Sequence, residues 1–168
     1  MHPHLQALWS ELQHESASTR RMLQAVPADR LSWKPHAKSM SLGQLALEVA
    51  RVPASIVGFV ESDSFDVTAA NFDAPSPETK EQVLAALDHS LAEVERCFNA
   101  LDDARVATPW KLMRKSEVLM ELPRLALIRS LMLNHVYHHR GQLSVYLRLL
   151  DAPVPAMYGR SADESLFG

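Results

Sequence analysis

A single cysteine, Cys97, stands among 168 residues, so no disulfide can close within the chain and stability must come from a packed core. Cys97 falls on a helical segment beside Phe98 and reads as a small buried hydrophobe. Glycine is scarce, five in all and scattered, so no loop has the composition to cradle a phosphate, a nucleotide or a flavin. Lysine and arginine form no block, and 17 basic against 20 acidic residues leave a net charge of −3. A surface built to track nucleic-acid phosphates is therefore not expected. The N-terminus lacks the basic start and apolar run of a secretory signal, and no run reads as long and apolar enough to span a bilayer. The expectation is a soluble, cytoplasmic protein with neither membrane nor nucleic acid as partner. Its length fits one domain, residues 1–168, with a sizeable core.

What the chain does have is concentrated between Pro123 and Leu150, a stretch that reads as one long helix. Leu125, Ile128, Met132, His135, His139, Gln142, Tyr146 and Leu149 recur at steps of three and four, the spacing of a core-facing seam. His135 and His139 lie one turn apart, so their imidazoles project from one face and can grip a single divalent ion. The plainer alternative is a pair of core histidines, each hydrogen-bonded to a neighbour. A shared ion serves both rings at once, whereas the plainer reading needs two separate partners. His138 lies off the seam and reads as a residue supporting the site or an interface. Arg140 points away and reads as solvated or paired at a surface.

Three further helices precede this one. Leu5, Leu8, Trp9, Leu12, Leu23 and Val26 give the first an apolar side over Pro3–Val26, with His14 opposite. A crossover follows, anchored by Trp33 and carrying His36. Ser41 and Gln44 have the spacing of a capping box, which starts the second helix. Its stripe is Leu45, Val49, Val52, Ile56 and Phe59 or Val60; Glu48 borders that inward face, and Pro53 interrupts the hydrogen bonding. An acidic connection with Phe65 and Phe72 leads to Ser76 and Pro77, read as the cap and first turn of a third helix. That helix carries Leu84, Leu87, Leu91, Val94, Phe98 and Leu101 on one face, with His89 opposite. Asp102–Leu122 supports only a loop around Pro109 and Trp110. The fold class is all-α.

The run NHVYHHRGQLSVYLRLL resembles the last-helix signature of the DinB/YfiT-like family: a histidine, three residues, a second histidine, then Arg-Gly-Gln. SMSLGQLALEVARVP resembles the start of that family's second helix, and VPAMYGRSADE resembles its C-terminal tail, with Arg160 where proline is common. The resemblance implies a metal-binding four-helix bundle with long crossover loops and an ordered C-terminal strap, and a homodimer. It implies an irregular or partly extended segment around Trp110, with that ring near the mouth of the site, and a histidine as third ligand at the position of Glu48. A carboxylate there can equally ligate zinc, nickel, iron or manganese. The metal set is then Glu48, His135 and His139, with His138, Gln142 and Tyr158 as supporting or ligand-binding residues. The alternative is a degraded site in which Glu48 pairs directly with a histidine. The implied activity is that of a metal-dependent transferase using a low-molecular-weight thiol, or a hydrolase. The other reading is a non-catalytic dimeric bundle that binds a small molecule or partner in stress.

Overall fold

A computed structural model describes residues 1–70 and 75–165. Phe72 lies outside the described residues.

Helix α1 covers Pro3–Gln24, with proline in the first turn, where its missing N–H costs nothing. Helix α2, Leu42–Val60, opens on the capping box: the Ser41 hydroxyl accepts from Gln44 N at 3.2 Å and the Gln44 side chain accepts from Ser41 N at 2.9 Å. It runs through the buried Pro53 without ending. By length and mean hydropathy, 19 residues at 1.2, α2 meets the measure of a membrane span, against the expectation that no stretch does. Its apolar surface is spent on the protein's own core, packed against α3 and α6.

Helix α3 is Lys80–Ala100, and its cap is Thr79 rather than Ser76, the Thr79 hydroxyl accepting from Gln82 N at 3.2 Å. Either Ser-Pro or Thr satisfies the local capping rule, and the start is set three residues later than the proline suggests. A short α4, Asp103–Ala107, follows.

The all-α expectation fails in the next segment. Strands β1 (Ser64–Asp66), β2 (Pro109–Arg114) and β3 (Glu117–Pro123) form a small sheet in the order β1-β2-β3, parallel then antiparallel. The protein is mostly helical with this sheet at one end. Lys115, at φ 55°, turns the hairpin. β3 is exposed along nearly all its length, so it lacks the inside–outside alternation by which a strand is recognised.

The last long helix is three pieces run together: α5 (Arg124–Leu127), a π-helical stretch (Ile128–Leu133) and α6 (Asn134–Leu149). The wide turn moves the helix out of its regular phase. Beyond it the buried positions are Val136, His139, Arg140, Leu143 and Leu147, a stripe centred one residue on from the seam expected through His135, His139, Gln142 and Tyr146. Of those four only His139 is buried, at the border of the stripe; His135 and Tyr146 are half-buried and Gln142 is exposed.

Among the described residues, two apolar clusters form the core. One gathers Leu5, Trp9, Leu12, Val52, Ile56, Phe98, Trp110, Met132 and Val136, and the other Met22, Leu23, Leu45, Val49, Leu87, Leu143 and Leu147. On every long helix the passage between them is marked by polar residues: Glu15 and Thr19, Glu48, Ser90, His139 and Arg140.

Candidate metal centre

Glu48 of α2 faces His135 and His139 of α6 because the two helices pack with opposite directions, Leu45 beside the Leu143 end and Val52 beside the Val136 end. One donor atom from each of the three lies within 4.8 Å of the others. His139 is buried; Glu48 and His135 are half-buried, which leaves the group reachable from one side.

The ring nitrogens are arranged in a particular way. His139 Nδ1 meets Gln142 Oε1 at 2.7 Å, so it carries the proton and the carbonyl accepts. Nε2 of His139 faces Nε2 of His135 at 2.7 Å, with ring centroids 4.5 Å apart. His135 also hydrogen-bonds the backbone of Leu131, which occupies its other nitrogen. In the neutral state both Nε2 atoms present lone pairs to one another. Such a contact needs a cation between or beside them, either a shared proton or a metal ion. Burial pushes the His135 pKa below its ordinary value, the positive potential of His139 adds to this, and Glu48 opposes it. The fold thus favours an unprotonated ring, the form that ligates metal. Two imidazoles on one ion stand roughly 3.0–3.4 Å apart at metal–nitrogen bonds of about 2.1 Å, so the rings need part by only about half an ångström. Two nitrogens and one carboxylate fit a borderline divalent ion.

The other residues picked out from the sequence divide. Gln142 orients His139, as described. His138 is exposed and only flanks His139, ring centroids 5.1 Å apart. Tyr158 does not join the three; it belongs to a second polar group on the side of α6 that faces α1. There the Arg140 guanidinium is buried, against the expectation of a solvated or surface-paired side chain. It donates to Glu15 Oε2 at 2.6 Å, to Thr19 Oγ1 at 3.1 Å and to the Tyr158 hydroxyl at 2.5 Å, while Tyr158 donates to the same Glu15 oxygen at 2.7 Å. The rings of Tyr137 and Tyr158 flank the guanidinium at 5.3 and 5.4 Å. The signal was a gap in the first helix's stripe. Between Leu12 and Leu23 the inward spacing passes through Glu15 and Thr19, polar residues in core positions that call for a buried partner.

Trp110 sits away from the site. It is buried in the sheet-side core and donates to Phe59 O at 3.0 Å, eleven residues along α2 from Glu48, or roughly 16 Å at 1.5 Å per residue. His36 and His89 are exposed and outside the group.

A mostly helical fold with a small sheet, holding two histidines and a carboxylate at the edge where its second and last helices meet, defines a class of candidate metal-binding helical proteins. The chain belongs to the DinB family, whose model matches residues 1–165. Solved structures with the same fold include a DinB-like protein from Bacillus cereus ATCC 10987, with a TM-score of 0.71 and 22% identity over 91% of this chain and 97% of that one. A DinB-like protein from Bacillus subtilis superposes with a TM-score of 0.67 and 15% identity, covering 90% and 96% of the two chains. No curated protein matches the chain.

Proposed function

We propose that this DinB-family protein is a metal-binding four-helix bundle in which Glu48, His135 and His139 hold one divalent ion, zinc, nickel, iron or manganese, and leave further positions open to a small ligand. The observation that carries the reading is the pair of Nε2 atoms turned toward each other at 2.7 Å while Gln142 and the Leu131 backbone occupy their Nδ1 sides. Bound there, such an ion lowers the pKa of a thiol or water that reaches it and readies it as a nucleophile. The chain's own contribution is orientation. Gln142 fixes the tautomer of His139, the Leu131 backbone holds His135, and Glu48 brings one negative charge that partly offsets the ion's own. The reaction class this supports is transfer of a low-molecular-weight thiol, or hydrolysis.

A second reading rests on the same short contact. A proton shared between the two rings, with Glu48 as counter-charge, needs no metal and describes a non-catalytic binding module. Elemental analysis of untagged protein separates the two. Near-stoichiometric metal that both Glu48→Ala and His139→Ala remove supports the metal site. Protein that stays metal-free after reconstitution sinks it.

The same reading takes the protein as a homodimer through an apolar helix face, with Leu131 of the π-helical stretch and Val145 and Leu149 of α6 exposed. Sedimentation at micromolar concentration should give twice the chain mass, and Val145→Glu with Leu149→Glu should return it to one.

A further inference from the structure

The rim of the Glu48 site carries an unneutralised cation. Arg51 lies three residues after Glu48 on α2, so their Cβ atoms stand roughly 5–6 Å apart on neighbouring positions of the helix surface. At that spacing a glutamate and an arginine are close enough to pair. Here they do not: Glu48 is turned toward the histidines, and Arg51 is exposed with neither a carboxylate nor a hydrogen-bond partner among the described residues. Its isolation is unusual in this molecule. Every other arginine except Arg160 is paired with a carboxylate. Arg160 lies in the C-terminal strap, far along the chain from any ligand-like group. Among the described residues, Arg51 alone combines an open guanidinium with a place beside the three convergent donors.

The charges around that place favour an anion. A divalent ion held by Glu48 and two neutral imidazoles keeps one net positive charge, and Arg51 adds a second within one helical turn. Nothing acidic other than Glu48 stands on this edge of α2, where Gln44 and Ser55 are its other half-buried or exposed neighbours. Guanidinium offers the flat two-donor edge that matches a carboxylate, a geometry lysine lacks.

We infer that Arg51 is the anion-binding arm of this site, and that the ligand taken there is a small molecule carrying a carboxylate besides its metal-coordinating atom. The inference rests on the metal reading proposed above. It names the class of ligand: a short carboxylate-bearing thiol, held at one end by the ion and at the other by Arg51. Uncharged thiols of equal size lose the second hold.

The test is titration of cobalt(II)-loaded protein with mercaptoacetate and with its neutral isostere mercaptoacetamide, followed through the visible absorption of cobalt, in the wild type, Arg51→Gln and Arg160→Gln. The quantity read is the ratio of the two affinities, in which differences between the two thiols common to all three proteins cancel. Wild type and Arg160→Gln should favour mercaptoacetate by about tenfold more than Arg51→Gln does, with cobalt stoichiometry and melting midpoint the same in all three. An unchanged ratio in Arg51→Gln overturns the anion arm while leaving the metal site standing. An equal fall in Arg160→Gln also overturns it, since general surface charge then accounts for the preference. Failure of the wild type to take up cobalt overturns the metal reading, and this one with it.

Discussion

His139 is the residue on which the candidate site turns, because both of its nitrogens are committed and in opposite senses. Nδ1 gives its proton to Gln142, and this is what leaves Nε2 bare toward His135 and Glu48. Without the amide oxygen the ring is free to place its proton on Nε2, where it blocks ligation, and to rotate about its side-chain bonds. Partners of this kind typically account for ten- to hundredfold in metal affinity. Gln142→Leu should therefore weaken zinc binding by about tenfold in a competition with a chromophoric chelator, at unchanged melting temperature, because Gln142 is exposed and packs against nothing in the core. Unaltered affinity would mean that the tautomer is set elsewhere. Gln142→Glu should move the affinity the other way, since a carboxylate accepts the same proton more strongly. The spacing of His135 and His139 was legible from the sequence, since i, i+4 fixes their common face whatever surrounds them. The role of Arg140 was not, because a cation next to two histidines looks like surface until Glu15 and Thr19 are seen to occupy core positions on another helix.

At the scale of elements, one side chain ties the segment between α3 and the last helix to more parts of the chain than any other among the described residues. Arg124 is wholly buried, and all five of its N–H groups are used: Nε to Val60 O at 2.9 Å, Nη1 to Arg105 O and Thr108 O at 3.0 Å each, and Nη2 to Ser62 O at 2.7 Å and Asp63 Oδ1 at 3.0 Å. It thereby ties the end of α2, helix α4 and the entry to the hairpin to the first turn of α5. Lysine brings three donors and no fork, so Arg124→Lys leaves buried carbonyls unpaired and a charge poorly matched. The expected loss is about 3 kcal/mol in urea unfolding, with the β2–β3 amides losing hydrogen-exchange protection first. A change under about 0.5 kcal/mol would show that the clamp is dispensable. These elements explain where the sequence reading stopped. The stripes of the first three long helices and the Ser41 capping box follow from local rules and were readable, whereas strand β3 has neither alternation nor burial to announce it. The π-helical turn at Ile128–Leu133 likewise has no local signature, yet it moves the buried stripe by one residue and so decides that the histidines stand at the rim of the core.

For the molecule as a whole, the two apolar clusters leave a polar waist between them, in which the candidate metal group joins α6 to α2 and the Glu15–Arg140–Tyr158 group joins it to α1. The second group joins three parts of the chain: α1, α6 and the C-terminal strap. Asp163 and Glu164 fasten that strap further, through Arg148 and Arg21. Burial alone would raise the Glu15 carboxyl, but the Tyr158 hydroxyl and the Arg140 guanidinium outweigh it and hold its pKa below the ordinary 4.5. A depressed carboxyl stabilises the fold above its unfolded pKa, and that contribution is lost as the pH falls through the lower, folded value. The contribution of Glu15 should therefore be level from neutral pH to about 5 and be lost below about 4.5. Glu15→Gln keeps the shape and a hydrogen bond to Arg140 but leaves the buried cation without its counter-charge. It should be less stable at pH 7 by about 3 kcal/mol, and its decline below pH 4.5 should be shallower, so that the two curves converge in acid. Tyr158→Phe removes one of the two hydrogen bonds that lower the Glu15 pKa, so the folded value rises toward the unfolded one; the variant should be less stable than the wild type at pH 7 and lose less stability below pH 4.5. Curves that stay parallel down to pH 3 would show that Glu15 is not among the groups whose protonation unfolds the protein, and that the waist is held by packing rather than by charge.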